Sequence, residues 1–510
     1  MLTNVRTAAV HGVEPFVVNV EVNMTSGLPS FMVVGLPQGA VREGRERVAT
    51  ALSNSGWPLP PKRVTVNLAP ADVRKDGTAF DLAIAVGLLA ASGVLAPEVL
   101  AGWAFLGELG LDGGLRPVRG ALPAASALAA AGVSDLFVPR DNAAEAGVVH
   151  GLSVYGAVSL LDVVHHLRGG TRLACVQTDL TPLLSGPLKD GPDFSEVRGQ
   201  GAAKRVLEVA AAGSHNALLI GPPGSGKTML ERRLPGILPS LTVEEALEAT
   251  RVHSVAGRMG KGGSLITRRP FRAPHHTVSD AGLVGGGVPI RPGEVSLAHH
   301  GVLFLDELAE FKRNVLDVLR QPLEEGVIHL SRAMGSVRFP AQILLLAAMN
   351  PCPCGYWGDG TDRCVCDPSQ VRRYLGRVSG PLLDRIDLHV QVPPVAFQHL
   401  TKTGDGDSTH DIRERVVEAR ALQARRFEGT PGVFANGHMT VRELRQWCHP
   451  SRDVARLLQR AVDGLGLSAR SYHRVLKVAR TVADLGGSET IKQHHVAEAL
   501  QYRYLDRVVQ

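Results

Sequence analysis

A glycine-rich loop with one lysine is the first stretch of this sequence whose residue types and spacing suggest chemistry. The loop consists of Gly221, Pro222, Pro223, Gly224, Ser225, Gly226, Lys227 and Thr228, which matches the phosphate-loop pattern. Its glycines let backbone N–H groups turn towards phosphate oxygens at the positive end of a helix. Lys227 is expected to reach the β- and γ-phosphates of ATP, and the Thr228 hydroxyl to bind Mg²⁺.

Two adjacent carboxylates lie about eighty residues further on, after the apolar run 302–305. Beside a phosphate loop, such a pair has two tasks in nucleotide hydrolysis. Asp306 is expected to hold Mg²⁺ through its water shell, and Glu307 to polarise the attacking water. The pair is weak evidence alone, because many buried strands end in charged residues, but it is strong evidence together with the loop.

Two further polar side chains follow apolar runs. Asn350 ends the predicted strand 342–349, where its amide can orient a water near the γ-phosphate or simply begin a turn before Pro351. Arg385 stands among acidic residues just before the predicted strand 388–392. Its side chain is either an ordinary surface ion-pair partner or an arginine finger that reaches a neighbouring subunit's nucleotide.

Four of the six cysteines fall within fifteen positions, which suggests a metal site. They are Cys352, Cys354, Cys364 and Cys366. Four thiolates can form a tetrahedral Zn²⁺ site, although the C-x-C spacing is tighter than the usual pattern. Zinc and four reduced thiols both remain open as interpretations.

Adjacent histidines at 275–276 and 299–300 also invite a metal interpretation. On a strand, neighbouring side chains point to opposite faces, so each pair would offer one ligand to a given site. We therefore expect structural or substrate-contacting roles for them and assign no metal.

These residues require elements to position them, and the chain divides into three blocks. Residues 1–168 mix β-type runs with Ala-rich helical stretches, and 169–193 has the composition of a linker. Residues 194–400 alternate apolar runs with helical patterns, as in a parallel α/β sheet, with a Cys-rich insertion at 351–367. Residues 401–510 show only helical spacing.

Composition narrows the class of protein. The 510 residues are 44% hydrophobic and 20% charged, which is typical of a folded chain of several domains. The longest apolar stretch, 82–96, is too short to span a bilayer and predicts a buried helix. Six cysteines cannot form a disulfide scaffold in so long a chain, so we expect a reducing, cytoplasmic location and no membrane. The net charge is +6, and residues 401–510 carry 18 basic and 13 acidic groups, which is compatible with a polyanionic partner.

Together these motifs resemble a known family across nearly the whole chain. The phosphate loop, GVLFLDEL, NPCPCG, SGPLLDRIDLH and SARSYHRVLKVARTVADL are similar to magnesium-chelatase-like AAA+ ATPases of the YifB/ComM type. The stretch RPFRAPHHTVSDAGLVGGG (269–287), followed by RPGEVSLAHHG, resembles that family's signature.

The resemblance implies an α/β AAA+ phosphate-loop core with a C-terminal helical lid, assembled as a ring of six copies. It implies that Arg385 is a finger acting in trans, that Asn350 is the sensor before it, and that Arg470 is the second sensor arginine. The segment 327–339 has the pattern of a β-hairpin that carries Arg332 and Arg338. In this family such a hairpin projects into the central pore and contacts DNA, although an exposed hairpin with ordinary surface charge is the simpler alternative.

The first block resembles the α+β peptidase domain of Lon-type proteases. Ala79 stands where the resemblance would place the nucleophilic serine, and 118–124 contains no lysine where the catalytic lysine would fall. Because a Ser–Lys dyad needs both residues, we expect the fold without the peptidase chemistry.

The sequence thus leads to two functional hypotheses. The first is an ATP-dependent, ring-forming DNA translocase or helicase, which the resemblance connects with branch migration of single-stranded or branched DNA in natural transformation. The alternative is a chelatase-type motor that remodels a protein partner for metal insertion. ATP and Mg²⁺ are expected in both cases.

Overall fold

The computed structural model describes residues 2–185, 191–260, 262–332, 335–395, 406–430, 432–465 and 467–503. The first block is a mixed eight-stranded sheet with helices against it. The strand order in this sheet is β10-β9-β8-β5-β1-β2-β4-β3. Its strands are β1 (Leu2–His11), β2 (Glu14–Thr25), β3 (Ser30–Val34), β4 (Arg63–Ala69), β5 (Trp103–Phe105), β8 (Asp135–Pro139), β9 (Ser153–Ala157) and β10 (Cys175–Val176), while β6 (Glu108–Leu109) and β7 (Leu115–Arg116) pair separately.

The helices of this block are α1 (Gly39–Asn54), α2 (Asp81–Ala91), α3 (Ala121–Ala130), α4 (Arg140–Ala146), α5 (Leu160–Leu167) and α6 (Leu180–Ser185). Every residue of α2 is buried, as the apolar stretch predicts. A Cβ on Gly87 would lie 2.7 Å from Val22 Cγ2, so glycine lets α2 pack closely on β2. The sheet extends to Val176, so β10 and α6 fall within the segment predicted as a linker.

The second block contains a five-stranded sheet in which each strand is parallel to its neighbours, as the alternating pattern predicts. Its order is β12-β15-β18-β11-β19. The strands of the block are β11 (Ala217–Ile220), β12 (Phe271–Arg272), β13 (Gly285–Gly286), β14 (Arg291–Pro292), β15 (Val302–Leu305), β16 (Val327–Arg332), β17 (Gly335–Pro340), β18 (Leu344–Met349) and β19 (Leu388–Gln391). Strands β11, β15 and β18 are buried throughout, which explains their unbroken apolar sequences.

Short helices connect these strands. They are α7 (Gly201–Gly213), α8 (Lys227–Glu231), α9 (Leu234–Ile237), α10 (Val243–Val255), α11 (Asp280–Val284), α12 (Glu294–Leu297), α13 (Arg313–Asp317), α14 (Arg320–Glu325), α15 (Pro368–Leu375) and α16 (Gly380–Leu383).

The last block is helical in its described residues, as the sequence predicts. It comprises α17 (Thr409–Arg426), α18 (Val441–Trp447), α19 (Arg452–Leu465), α20 (Ala469–Leu485) and α21 (Gln493–Gln501). A capping box of Thr440 and Glu443 begins α18. Residues of α17 and α20 share one hydrophobic core with α7, so these helices pack directly on the parallel-sheet block. The boundary predicted at residue 400 lies outside the described residues.

No helix among the described residues combines the length and the apolar character needed to cross a bilayer.

Candidate nucleotide site and its surroundings

The phosphate loop leaves the buried strand β11 and enters α8, which is the context that the sequence predicts. A Cβ on Gly221 would lie 2.2 Å from the backbone oxygen of Val392, so only glycine fits beside the chain that follows β19. Gly224 and Gly226 have φ values of +76° and +90°, which glycine adopts without strain. A Cβ at either position would meet no protein atom within 4 Å, so the loop is open on that side for a phosphate group.

Lys227 is the first residue of α8, and its side chain reaches back into the loop. Its Nζ donates to the backbone oxygens of Gly221 and Pro222 at 2.7 and 2.9 Å, and lies 3.4 Å from Asn350 Oδ1. Burial lowers the pKa of Lys227, although the charges of Asp306 and Glu307 oppose that shift. The structure therefore brings the predicted loop lysine and the predicted sensor amide together, within the field of both carboxylates.

The two carboxylates follow β15, which is separated from β11 only by β18. The carboxyl ends of these parallel strands lie at one edge of the sheet, where ligands of α/β sheets bind. The backbone N–H of Glu307 donates to Asp306 Oδ1 at 2.9 Å. Glu307 has a φ of +51°, a left-handed conformation that is unusual for a glutamate and is often found at functional sites.

His276 is a site residue that the sequence reasoning missed. Its Nδ1 lies 3.3 Å from Glu307 Oε2, and its ring meets the edge of Phe311. The histidine stands 31 positions before Glu307 in a loop, so no spacing rule connects the two. The sequence offered two signals for this histidine, its pairing with His275 and its place in the long signature segment, but neither indicates a contact with Glu307.

Glu231 was missed as well, although it lies one helical turn after Thr228. Its side chain is buried, and its Oε2 has no hydrogen-bond partner among the described residues. Burial and the nearby charge of Asp306 raise its pKa to about 8. The carboxylates of Glu231 and Asp306 and the hydroxyl of the predicted ligand Thr228 are hard oxygen donors, the kind that Mg²⁺ prefers.

Arg385 and Arg470 lie close to each other, beside Glu324 of α14. Both approach Glu324: Arg385 Nη2 forms a short ion pair with it, and Arg470 Nη2 lies 3.9 Å from its Oε1. They line a cleft of about 370 Å³ between α14, the end of α16 and α20. Within the described part of the chain, the side-chain hydrogen bonds and ion pairs of the two arginines reach Glu324 and Pro381 and no residue of the phosphate loop.

A buried polar network connects the Arg385 loop with the helical block. Asp387 accepts from Arg474 at 3.0 Å and lies 3.3 Å from His215 Nδ1, whose Nε2 contacts Thr481 at 2.8 Å. Although burial alone would raise it, Arg474 and His215 hold the pKa of Asp387 below its usual range. The position of Arg385 therefore depends on α20.

The hairpin predicted over 327–339 is present as β16 and β17. Ile328, Val337 and Phe339 are buried on one face, while His329 and Arg338 are exposed and directly opposite each other on the other face. Arg332 pairs with Gly335 through the backbone, and its side chain lies outside the described residues.

The buried face of the hairpin also meets the first block. A Cβ on Gly12, in the turn between β1 and β2, would lie 2.2 Å from Val337 Cγ1. Val13 packs against the same hydrophobic cluster. The hairpin and the first block are therefore in direct contact.

The interpretation of the histidine pairs needs correction. His299 and His300 follow α12 in a turn, and the Nε2 atoms of both lie near Glu248 Oε2, at 3.2 and 2.7 Å. The expectation that they point to opposite faces is therefore wrong. His299 Nδ1 accepts the N–H of Gln342, so its Nε2 carries the proton and donates to Glu248. This arrangement makes His299 a hydrogen-bond donor to Glu248, not a metal ligand through Nε2.

The four cysteines predicted to cluster do so. Their Sγ atoms lie within 4.8 Å of one another, and all four thiols are free of disulfide bonds.

Comparisons with known proteins agree with this architecture. Three family models match: Magnesium chelatase, subunit ChlI, at residues 193–400; Subunit ChlI of Mg-chelatase at 20–142; and Magnesium chelatase, subunit ChlI C-terminal, at 406–503.

Relatives match over the full length or over part of it. Competence protein ComM of Haemophilus influenzae is 45% identical over 513 residues, which covers 100% of this chain and 99% of the relative. YifB of Escherichia coli is 43% identical over 509 residues, covering 100% and 98%. The magnesium-chelatase 38 kDa subunit of Cereibacter sphaeroides is 22% identical over 325 residues, covering 59% and 88%. Because ComM and YifB are 45% and 43% identical to it over their length and three chelatase-type models match most of its residues, the chain belongs to the YifB/ComM family of magnesium-chelatase-like AAA+ proteins.

Proposed function

We propose that this protein is an ATPase that works as a homo-hexameric ring and moves along DNA. The observation that carries the ATPase activity, on which the rest of the proposal depends, is the sheet order, in which β15, β18 and β11 are neighbours. Because of that order, the carboxylates, the sensor amide and the loop lysine lie at one edge of one sheet. This is the set of groups that nucleotide hydrolysis requires.

The residues divide the work of hydrolysis between them. Lys227 and the N–H groups of the loop bind the phosphates, and Thr228 and Asp306 hold the Mg²⁺ complex, with Glu231 beside them. Bound Mg²⁺ supplies positive charge against the phosphate oxygens. Glu307 takes the proton of the attacking water, and His276 orients Glu307.

Arg385 and Arg470 complete the site of the neighbouring copy. Their polar contacts lie at Glu324, away from their own phosphate loop, which supports a role in trans. A charged guanidinium delivered from a second subunit stabilises the charge that develops on the transferred phosphoryl group. Hydrolysis then requires a neighbouring copy, because no subunit holds both halves of a site, and a ring gives every subunit such a neighbour.

DNA is the proposed substrate of the movement, in branch migration during natural transformation. Two findings support it: the full-length similarity to a relative named as a competence protein, and the exposed Arg338 on a hairpin in the expected position. Arg332, whose side chain lies outside the described residues, is proposed to share this contact.

The first block is proposed to be a Lon-like accessory domain without peptidase activity. Ala79 lines a cleft of about 550 Å³ together with Thr78 and Glu108. Thr78 donates to Glu108, and the buried Lys75 donates to the backbone oxygen of Pro70, away from that pair. Because Ala79 has no hydroxyl and Lys75 is bonded elsewhere, these contacts support a folded cleft without the Ser–Lys dyad of Lon-type peptidases.

The matches to chelatase subunits favour a second candidate, a motor that remodels a protein partner for metal insertion. One experiment distinguishes the DNA motor from the chelatase-type motor. It measures the ATPase rate with and without single-stranded, duplex and branched DNA at two salt concentrations. The DNA motor predicts stimulation by DNA that weakens as salt rises, because phosphate contacts release counterions. An ATPase that ignores all three DNAs and responds only to a protein partner would support the chelatase candidate.

A matched pair of variants sharpens this experiment. Arg338→Ala removes an exposed hairpin cation and is expected to reduce the stimulation by DNA. Arg456→Ala is the control, because it removes another exposed arginine, which lies on α19 and pairs with Asp453 at the surface. Equal losses in the two variants would argue against the hairpin as the DNA contact.

A further inference from the structure

The four cysteines of the insertion form a compact group beside the nucleotide site. Cys352 Sγ lies 3.3 Å from Cys354 Sγ and 3.9 Å from Cys364 Sγ, and the distance from Cys354 to Cys364 is 3.7 Å. A tetrahedral ion bound to four thiolates at about 2.3 Å separates the sulfur atoms by about 3.8 Å. The spacings among these three thiols are thus close to those around a single bound ion and far from the ~2 Å of a disulfide, and Cys366 Sγ lies within 4.8 Å of all three.

The backbone around Cys352 is arranged for a thiolate. Cys352 is fully buried, and its Sγ accepts the N–H groups of Gly355 and Trp357 at 3.2 and 3.3 Å. Hydrogen bonds of this kind stabilise negative charge on sulfur. A neutral buried thiol carries no charge for two backbone donors to stabilise, whereas a metal-bound thiolate does.

We propose that Cys352, Cys354, Cys364 and Cys366 bind one Zn²⁺ ion, and that this ion holds Asn350 beside the phosphate loop. Four soft thiolates in a closed tetrahedral set are the usual ligands of a structural zinc. An iron–sulfur cluster divides its thiolates between different iron atoms, which requires wider spacing than a single ion does.

The ion acts on the nucleotide site through a short segment of chain. Asn350 stands only two residues before Cys352. A Cβ on Gly355 would lie 2.6 Å from Pro223 Cδ, so the turn between the ligands packs directly on the phosphate loop. Fixing that turn fixes the Asn350 amide near Lys227. This positioning role rests on the proposed function, whereas metal binding does not.

Metal content tests the binding site directly. The full-length protein, purified under reducing conditions, is expected to contain about one zinc per chain by elemental mass spectrometry. The double variant Cys364→Ser/Cys366→Ser should lose nearly all of it. Cys175→Ser, which changes an exposed thiol outside the group, should retain it.

A second measurement covers the case in which the double variant fails to fold. Co²⁺ exchanged into the wild-type protein should show the thiolate-to-metal charge-transfer and visible bands of a tetrahedral sulfur site. A wild-type protein that contains no zinc and takes up neither ion, or a folded double variant that keeps its zinc, would overturn the site.

The positioning role is tested by nucleotide affinity in a double-mutant cycle. Removal of the zinc ligands should weaken the binding of a non-hydrolysable ATP analogue roughly three- to tenfold, comparable to the loss of one hydrogen bond. In an Asn350→Ala background the same removal should have little further effect, because the ion acts through that amide. Additive losses would contradict the positioning role, and binding by none of the proteins would contradict the nucleotide site itself.

Discussion

Glu307 combines an exposed carboxylate with a left-handed backbone, and both features suit the role that we propose for it, facing a water molecule beside the γ-phosphate. We expect Glu307→Gln to bind ATP with nearly unchanged affinity and to hydrolyse it at least about 100-fold more slowly, because an amide cannot accept the proton. Steady-state ATPase and analogue-binding measurements check this.

Two comparisons control that experiment. Lys227→Ala should lose nucleotide binding altogether. Glu310→Gln changes a carboxylate three residues further on that pairs with Arg377, and it should hydrolyse ATP at the wild-type rate. A Glu307→Gln protein with wild-type turnover would show that another group activates the water.

The raised pKa of Glu231 predicts that ligand binding releases a proton. Its carboxyl is protonated near pH 7 because its pKa is about 8, and a divalent cation nearby favours the ionised form. Binding of Mg²⁺ and nucleotide should therefore release up to about one proton per site, and Glu231→Gln should abolish this release. Calorimetry in two buffers with different ionisation enthalpies measures it.

The same shift has a consequence for stability. The folded-state pKa of Glu231 lies above the ordinary value of 4.5, so its carboxyl disfavours the folded state increasingly as pH rises from 4.5 to about 8. Across that window, the melting temperature of nucleotide-free wild-type protein should fall relative to that of Glu231→Gln. Parallel curves for the two proteins would mean that Glu231 ionises normally.

Among the elements, α20 is the one on which the Arg385 loop depends, through the pair of Arg474 and Asp387. Arg474→Met leaves Asp387 buried without its main partner and should cost about 2–3 kcal/mol of folding free energy. For a block of this size, that corresponds to a melting temperature lower by roughly 5–10 °C. Arg456→Met breaks an exposed pair on α19 and should change stability by less than about 1 kcal/mol. Equal melting shifts would show that the buried network is not what stabilises this contact.

The contact between the first block and the hairpin can be tested by enlarging one of the side chains that meet there. Gly12→Ala places a methyl group against Val337 and should lower the melting temperature, with part of the loss recovered by Val337→Ala. Gly56→Ala is the matched control, because Gly56 also has a positive φ but nothing lies within 4 Å of its Cβ position. If both glycine variants melt alike, backbone strain alone explains the effect.

How far the sequence predicts these elements depends on whether the signal is local. Strands β11, β15 and β18 are predictable because each is an unbroken apolar run followed by chemistry-bearing residues. The buried helix α2 and the hairpin follow from local patterns too. The contact of Gly12 with Val337 joins residues more than 300 positions apart, and no local pattern encodes it.

The site divides in the same way. Lys227, Asp306, Glu307 and Asn350 belong to local motifs, whereas His276 reaches Glu307 only through the tertiary fold. The histidines at 299 and 300 were misjudged because the rule of alternating faces holds on a strand, and the chain turns there instead.

For the whole molecule, our central proposal is that each nucleotide site is completed by the neighbouring copy. In this proposal every subunit provides Lys227 and Glu307 on one side and Arg385 with Arg470 on another. Such a head-to-tail interface closes into a ring when the rotation between copies allows it.

Mixing two inactive proteins measures this claim directly. Arg385→Ala keeps the phosphate loop but lacks the finger, and Lys227→Ala keeps the finger but lacks the loop lysine. In equal mixtures that exchange subunits freely, about a quarter of the interfaces pair an intact loop with an intact finger, so ATPase activity should recover to as much as about a quarter of the wild-type rate. A mixture that stays as inactive as its components, despite demonstrated subunit exchange, would contradict the shared site.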